Sequence, residues 1–249
     1  MFKILFIVPL LLFSFCANSY YSEEIETEII VVAAESNLLQ YRENGEAKGS
    51  TIEILQALLE ESQLQANVDF MPWARAYAIA HKQPNTLILS MIRTPEREQY
   101  FHWLIKVSNL VRVYISLSEK PENHVSNHQQ AKDKLIAVVR NSAEHKELIK
   151  LGFSEDVNLY VVSSTVQMLT LFANGRVDLL YSDPDIVKDY FKQHVKIDIA
   201  INYQGITSEN QRNSYIAANK NIKENVLNRL HEAVFKFKKT PKYFKLLAQ

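Results

Sequence analysis

The alternation of strand and helix signatures along this chain predicts an α/β fold with largely parallel sheets. Three observations carry that expectation. Short β-branched apolar runs recur, most are followed by a polar cap and an amphipathic stretch, and glycines stand where two of those stretches stop. Five glycines in 249 residues, with no low-complexity tract and no internal repeat, argue against a string of flexible modules.

In order, Ile29–Ala34 reads as a strand, and Ser50-Thr-Ile-Glu53 as a capping box that opens a helix with Leu55, Leu58 and Leu59 on one face. Val68–Met71 is a second strand, and Pro72-Trp73 starts a short helix. Thr86–Met91 is a buried strand running into Thr94-Pro95, a hydroxyl at the N-cap followed by proline at the first helical position. Val111–Leu117 alternates strictly. After a polar loop around Pro121–Gln130 the rhythm restarts: Leu135–Val139, a helix from Ser142 to Leu151 stopped by Gly152, Leu159–Val162, and a helix from Ser164 to Asn174 stopped by Gly175. Val177–Tyr181 leads into a second cap-plus-proline start at Asp183-Pro184. Ile197–Ile201 and Tyr215–Ala218 are further strands, Asn221 opens a long helix to about Lys239, and Pro241–Leu247 adds a last turn or two. The break near Pro121 divides two βα groups, and the last helix is expected to return to the first.

Lys3, the apolar run Ile4–Phe15 and the small residues Ala17-Asn18-Ser19 have the layout of a secretory signal peptide cleaved after Ser19. Phe15 is bulky for a lipoprotein site at Cys16, the single cysteine, so the mature chain would have no thiol chemistry. The expected product is exported, periplasmic and monomeric. Without Lys3 it carries 27 basic and 28 acidic side chains, no basic stripe marks a nucleic-acid face, and no nucleic-acid partner is expected. The expected divisions are 1–19 for the leader, 20–112 with 205–249 for a first lobe, and 113–204 for a second.

Ligands of such sheets sit at the carboxyl ends of strands, where helices begin. Thr94, Ser142 and Asp183 all fall at such places. Beyond Thr94, free backbone N–H groups and the guanidinium of Arg97 suit a small anion such as a carboxylate. The plainer alternative is a capped surface helix whose Arg97 pairs with Glu96 or Glu98. Asp183 before proline is a good N-cap whatever else it does. His124 and His128 stand four apart in a polar loop with no third ligand, so no metal is expected. Neither a P-loop nor a dinucleotide fingerprint occurs, and no cofactor is expected.

Asn44-Gly45-x-x-x-Gly49, Pro72-Trp73-x-Arg75, Arg93-Thr-Pro-Glu-Arg97 with Phe101 and Trp103, and Gly175-Arg-Val-Asp178-x-x-x-x-Asp183 occur in this order. Together they resemble the extracellular solute-binding proteins of the polar-amino-acid type (family 3), the two-lobed partners of ABC importers. The resemblance implies a type II periplasmic-binding-protein-like α/β fold with a hinge between lobes. It also implies that Arg97 clamps a ligand carboxylate, that Ser90 and Ile92 contribute contacts from the adjoining turn, and that Asp183 receives the ligand amino group from the other lobe. Glu35 and Trp73 fall near first-lobe pocket positions, and Ser142 near the second-lobe helix start. Ala143 stands where a hydroxyl residue commonly helps hold the carboxylate. The implied ligand is amino-acid-like or a related carboxylate, and the implied partner is an ABC permease or a membrane sensor. The competing reading is a periplasmic dehydratase or lyase on the same scaffold, with Glu35 as base or Ser142 with His145 as a Ser/His pair. No nucleophile elbow accompanies that pair.

Overall fold

The computed structural model describes residues 29–194, 201–203 and 211–248. The expected leader and residues 197–200 of the strand expected at 197–201 lie outside the described residues.

The first part runs β1 (Ile30–Ala33), the hairpin β2 (Tyr41–Glu43) and β3 (Glu46–Lys48), α1 (Ser50–Glu61), β4 (Val68–Phe70), α2 (Trp73–Lys82), β5 (Thr86–Ile92), a 3-10 turn at Pro95–Tyr100 and the long β6 (Phe101–Val111). The chain then enters β7 (Val113–Leu117), a 3-10 turn at Pro121–Asn123, α3 (His128–Ala131), β8 (Ile136–Val139), α4 (Ala143–Lys150), β9 (Leu159–Val162), α5 (Thr165–Ala173), β10 (Leu179–Ser182), α6 (Pro184–His194) and β11 (Ile201–Tyr203). It returns through β12 (Gln211–Asn219) and ends in α7 (Glu224–Phe237) and α8 (Pro241–Leu247).

Two five-stranded sheets result, ordered β4-β1-β5-β12-β6 and β11-β7-β10-β8-β9. Each mixes directions. The βα units supply the parallel pairs β4-β1-β5 and β10-β8-β9, whereas β12 and β7 join antiparallel. The returning β12 is hydrogen-bonded between β5 and β6, which makes the first sheet discontinuous in sequence. That sheet buries one face against α1, α7 and α8 through Leu55, Leu58, Leu230 and Phe237, and the other against α2 through Ala76 and Ala80. In the second sheet Val113, Ile115 and Leu117 face α5 and α6, while Tyr114 and Tyr181 share the opposite side with Leu148 of α4. Both faces of each sheet are thus covered, as the near-continuous apolar strands require.

Four local expectations are corrected. Ser50 does not cap α1; Gly49 does, at φ 112, because a Cβ there would lie 2.4 Å from the Leu39 carbonyl oxygen. The segment after Thr94 is a 3-10 turn, and the Thr94 side chain makes no cap hydrogen bond. Likewise α7 begins from Lys223, not Asn221. The alternating run Val111–Leu117 is broken at the buried Arg112, which separates the last strand pairing of one sheet from the first of the other. By contrast Ser142, Ser164 and Thr240 cap α4, α5 and α8 with their hydroxyls, satisfying otherwise orphaned N–H groups.

Candidate functional site

The carboxyl ends of β1 and β5 meet those of β8 and β10 across a cleft that encloses a cavity of about 140 Å³. From the first sheet come Glu35, Gln40, Trp73, Ser90, Ile92 and Arg97; from the second, Val139, Ser142, Ala143, Glu144, Met168 and Tyr181. Of the seven residues singled out in the sequence, the cleft gathers Glu35, Trp73, Ser90, Ile92, Arg97 and Ser142.

Arg97 is 2 % exposed. It pairs with neither Glu96 nor Glu98: Lys150 takes Glu96 and Arg93 takes Glu98. Instead Nη1 donates to the Ile92 carbonyl at 2.7 Å, and the guanidinium lies 5.3 Å from the Trp73 ring centre and 5.1 Å from that of Tyr77. Among the described residues Nη2 is buried without a hydrogen-bond partner. Burial pushes the Arg97 pKa down from its ordinary value, although Tyr77 and Glu144 oppose the shift. A guanidinium remains charged at neutral pH all the same.

Ser90 has φ 51, a left-handed residue inside a strand. It sits where β5 and β12 lose register, since Met91 faces Tyr215 while Ile88 faces Ala217. Such bulges re-aim a side chain next to a site. The Ser90 hydroxyl donates to Gln40 Oε1 at 2.6 Å and lies 3.0 Å from Thr51 Oγ1, and Gln40 Nε2 donates to the Ala34 carbonyl. This chain of buried polar groups ties the ends of β1 and β5 together. Sequence reasoning missed Gln40 and Thr51, because polar residues in a loop and at a helix start carry no distinguishing spacing.

On the second sheet, Ser142 Oγ accepts from His145 N, and His145 Nδ1 accepts from Asn141 N. The Ser142 hydroxyl and His145 Nδ1 are therefore turned to backbone, and His145 Nε2 lies 3.1 Å from Glu155 Oε1. Glu144, next on α4, holds Arg112 Nη2 at 2.6 Å, and Arg112 also pairs with Glu147. Glu147 in turn accepts from Tyr181 and Arg212 at 3.0 Å each. Burial alone would raise the carboxyls of Glu144 and Glu147, but Arg112 beside both holds them below their usual range. The one hint of Arg112 in the sequence is an arginine inside an apolar run.

Asp183 stands at the start of α6, 7 % exposed. Its Oδ1 accepts from the N–H groups of Asp185 (2.8 Å) and Ile186 (3.4 Å), and Oδ2 from that of Val111 (2.7 Å). It caps α6 and straps that helix to the crossover strand. Burial raises its pKa, and the three N–H groups oppose the shift. Glu35 is exposed at the rim. Of the two histidines expected in a loop, His128 opens α3, and its Nδ1 is 2.7 Å from the Tyr114 hydroxyl. Among the described residues no helix is long and apolar enough to cross a membrane.

No protein-family model matches the sequence, and no curated protein does. Solved structures do match. A histidine kinase sensor domain with similarity to periplasmic binding proteins aligns with TM-score 0.74 at 13 % identity, over 89 % of this chain and 95 % of its own. The arginine-, lysine-, histidine-binding protein ArtJ of Geobacillus stearothermophilus aligns with TM-score 0.73 at 19 % identity, over 88 % and 93 %. The substrate-binding protein of an amino acid ABC transporter aligns with TM-score 0.71 at 18 % identity, over 88 % and 96 %. Two mixed sheets joined through crossover strands, with the cleft between them, therefore give this chain the two-lobed fold of the periplasmic binding proteins.

Proposed function

We propose that this chain binds a small carboxylate-bearing solute, an amino acid or a related acid, between its lobes and performs no chemistry on it. The observation that carries this reading is Arg97: a buried guanidinium lining the cavity, fixed through Nη1, with Nη2 lacking a hydrogen-bond partner among the described residues. A buried unpaired donor is costly, and a ligand carboxylate would satisfy it with a charge-assisted bond. Across the cleft the Ser142 N–H is taken by the Val139 carbonyl at 3.1 Å, which leaves the N–H of Ala143, at the start of α4, for the helix-terminus half of an anion site. Three backbone donors on its two oxygens favour Asp183 as a structural strap. A ligand ammonium, where present, falls to Glu35, which lines the cavity without an ion pair among the described residues.

Binding is favoured over catalysis because Ser142 and His145 each engage backbone and form no nucleophile–base pair. Neighbouring folds include both an importer's binding protein and a sensor domain. An ABC permease is the partner proposed here, with a membrane sensor as the second reading. Thermal-shift screening against amino acids, polyamines and organic acids tests the function. A ligand at 100 times its dissociation constant adds roughly 2.7 kcal/mol of stability. Loss of labelled-ligand uptake on deleting the gene identifies an importer; intact uptake overturns that half of the reading.

A further inference from the structure

Arg97 Nη2 shares the cavity with a second buried polar atom that lacks a hydrogen-bond partner among the described residues, Ser36 Oγ. Gln40, Ser90, Ser142 and Glu144 line the cavity too, but each is engaged within the protein. Gln40 donates to the Ala34 carbonyl and accepts from Ser90, Ser142 Oγ accepts from His145 N, and Glu144 holds Arg112. The Ser36 hydroxyl has no such contact.

Ser36 follows β1 and closes a tight turn. Its N–H donates to the Gln40 carbonyl at 2.7 Å, and its own carbonyl accepts from the N–H groups of Leu39 (3.1 Å) and Gln40 (3.0 Å). The backbone is thus fixed at both of its polar atoms. Serines in turns commonly bond their hydroxyl to nearby backbone, and this one does not. A buried hydroxyl without a partner is costly, so one held in place beside a cavity marks a contact that a bound molecule completes.

We propose that Ser36 is a ligand-binding residue, whose hydroxyl bonds a polar substituent, amino or hydroxyl, that the solute carries in addition to its carboxylate. This rests on the assignment of that carboxylate to Arg97. A ligand ammonium would donate to Oγ and be shared with Glu35, the preceding residue, which lines the same cavity; a ligand hydroxyl could donate to Oγ or accept from it. Asp183, whose oxygens are taken by three N–H groups, does not line the cavity. At about 140 Å³ the cavity has room for about ten water-sized atoms. The solute is therefore short, with the substituent close to the carboxylate, and Leu39, Leu89, Val139 and Met168 in the lining suit an apolar remainder.

Three probes with one carbon skeleton test this: leucine, 2-hydroxy-4-methylpentanoate and 4-methylpentanoate, which differ only in an amino group, a hydroxyl or neither. Each is titrated calorimetrically into the wild type, Ser36→Ala and Arg97→Ala. Ser36→Ala should weaken leucine, the hydroxy acid or both by about tenfold and leave 4-methylpentanoate within about twofold, since only the substituted acids lose a hydrogen bond. Which of the two is weakened identifies the substituent. Arg97→Ala should weaken every probe that binds. The ligand-free melting temperature of Ser36→Ala should not fall, because removing an unpaired buried hydroxyl leaves no other group without a partner. Equal effects of Ser36→Ala on all three probes, no effect on any, or a lowered ligand-free melting temperature would each overturn the role of Ser36 while leaving Arg97 in place. Failure of the wild type to bind any of the three at millimolar concentration, or binding indifferent to Arg97→Ala, would strike the carboxylate site itself and the role of Ser36 with it.

Discussion

The indole Nε1 of Trp73, at the start of α2, donates to the backbone carbonyl of Asn141, before α4, at 3.0 Å. This bond joins the two lobes at the rim of the cavity. Asn141 reaches it in a left-handed conformation, φ 58, which asparagine tolerates better than most residues. Lys150 pairs with Glu96, and Lys146 lies 5.2 Å from the Tyr77 ring, so α4 touches the first lobe along its length. The exposed ion pair contributes little, whereas the indole bond is directional. Trp73→Phe keeps an aromatic ring under Arg97 and removes the donor. We expect a loss of about 1 kcal/mol from the contact between the two sheets, seen as a several-fold faster ligand release with association nearly unchanged. Stopped-flow displacement measures it, and an unaltered release rate would show that ligand retention does not depend on this contact.

Arg97 should dominate affinity. Removing one member of a desolvated charge pair costs about 2–5 kcal/mol, or roughly 30-fold to several thousand-fold in affinity. Arg97→Lys should also bind poorly, because an ammonium cannot hold the Ile92 carbonyl and a carboxylate with the same planar fork. Calorimetric titration reads both variants. Near-wild-type affinity in Arg97→Ala would remove it from the site.

Much of the frame was legible in the sequence because it rests on periodic signals. The apolar runs at Ile29–Ala34 and Thr86–Met91 and the hydroxyl caps at Ser142 and Ser164 announce themselves locally. What was not legible depends on contacts between distant segments. Thr94-Pro95 reads as a helix start, yet only a 3-10 turn fits between β5 and β6, and Arg97 is buried by Trp73 and Tyr77, which lie some twenty residues earlier. The left-handed Ser90 follows from a register shift against β12, more than a hundred residues away. No propensity predicts φ 51 for a serine flanked by apolar residues. The Arg112–Glu144–Glu147 cluster was hidden for the same reason, since its members share no motif and meet only where the crossover strand passes α4.

That cluster gives the stability a pH dependence of known sign. Burial alone would lift Glu147, but Arg112, Arg212 and the Tyr181 hydroxyl together hold it below its usual range, and Glu144 behaves alike. A carboxyl whose folded pKa lies below its unfolded one binds fewer protons in the native state. Its stabilisation is therefore present above the ordinary carboxylate range and is lost as pH falls through the folded value. Glu147→Gln should cost about 2–4 kcal/mol at neutral pH, because the buried Arg112 loses one of its carboxylate partners. It should also flatten the fall in melting temperature as pH drops through and below the ordinary carboxylate range. Parallel acid titrations of the two proteins, followed by melting, decide the matter; identical slopes would exclude Glu147 as a contributor.

Asp183 separates a structural role from a ligand contact. The sequence resemblance implies that it receives a ligand ammonium, whereas its oxygens accept from Asp185, Ile186 and Val111. If the strap is its function, Asp183→Ala leaves the first turn of α6 uncapped, at about 1 kcal/mol, and the Val111 N–H without its acceptor, at a further 1–3 kcal/mol. The melting temperature should then fall by several degrees. Affinity should fall by the same factor for an amino acid and for its des-amino analogue, because both share the carboxylate that Arg97 would hold. An ammonium contact predicts the reverse pattern: a small change in melting and a selective loss for the amino acid. Titrating both ligands into the wild type and Asp183→Ala, beside their melting curves, distinguishes the two. Equal factors with a lowered melting temperature assign Asp183 to the strap, and a selective loss would return it to the binding site.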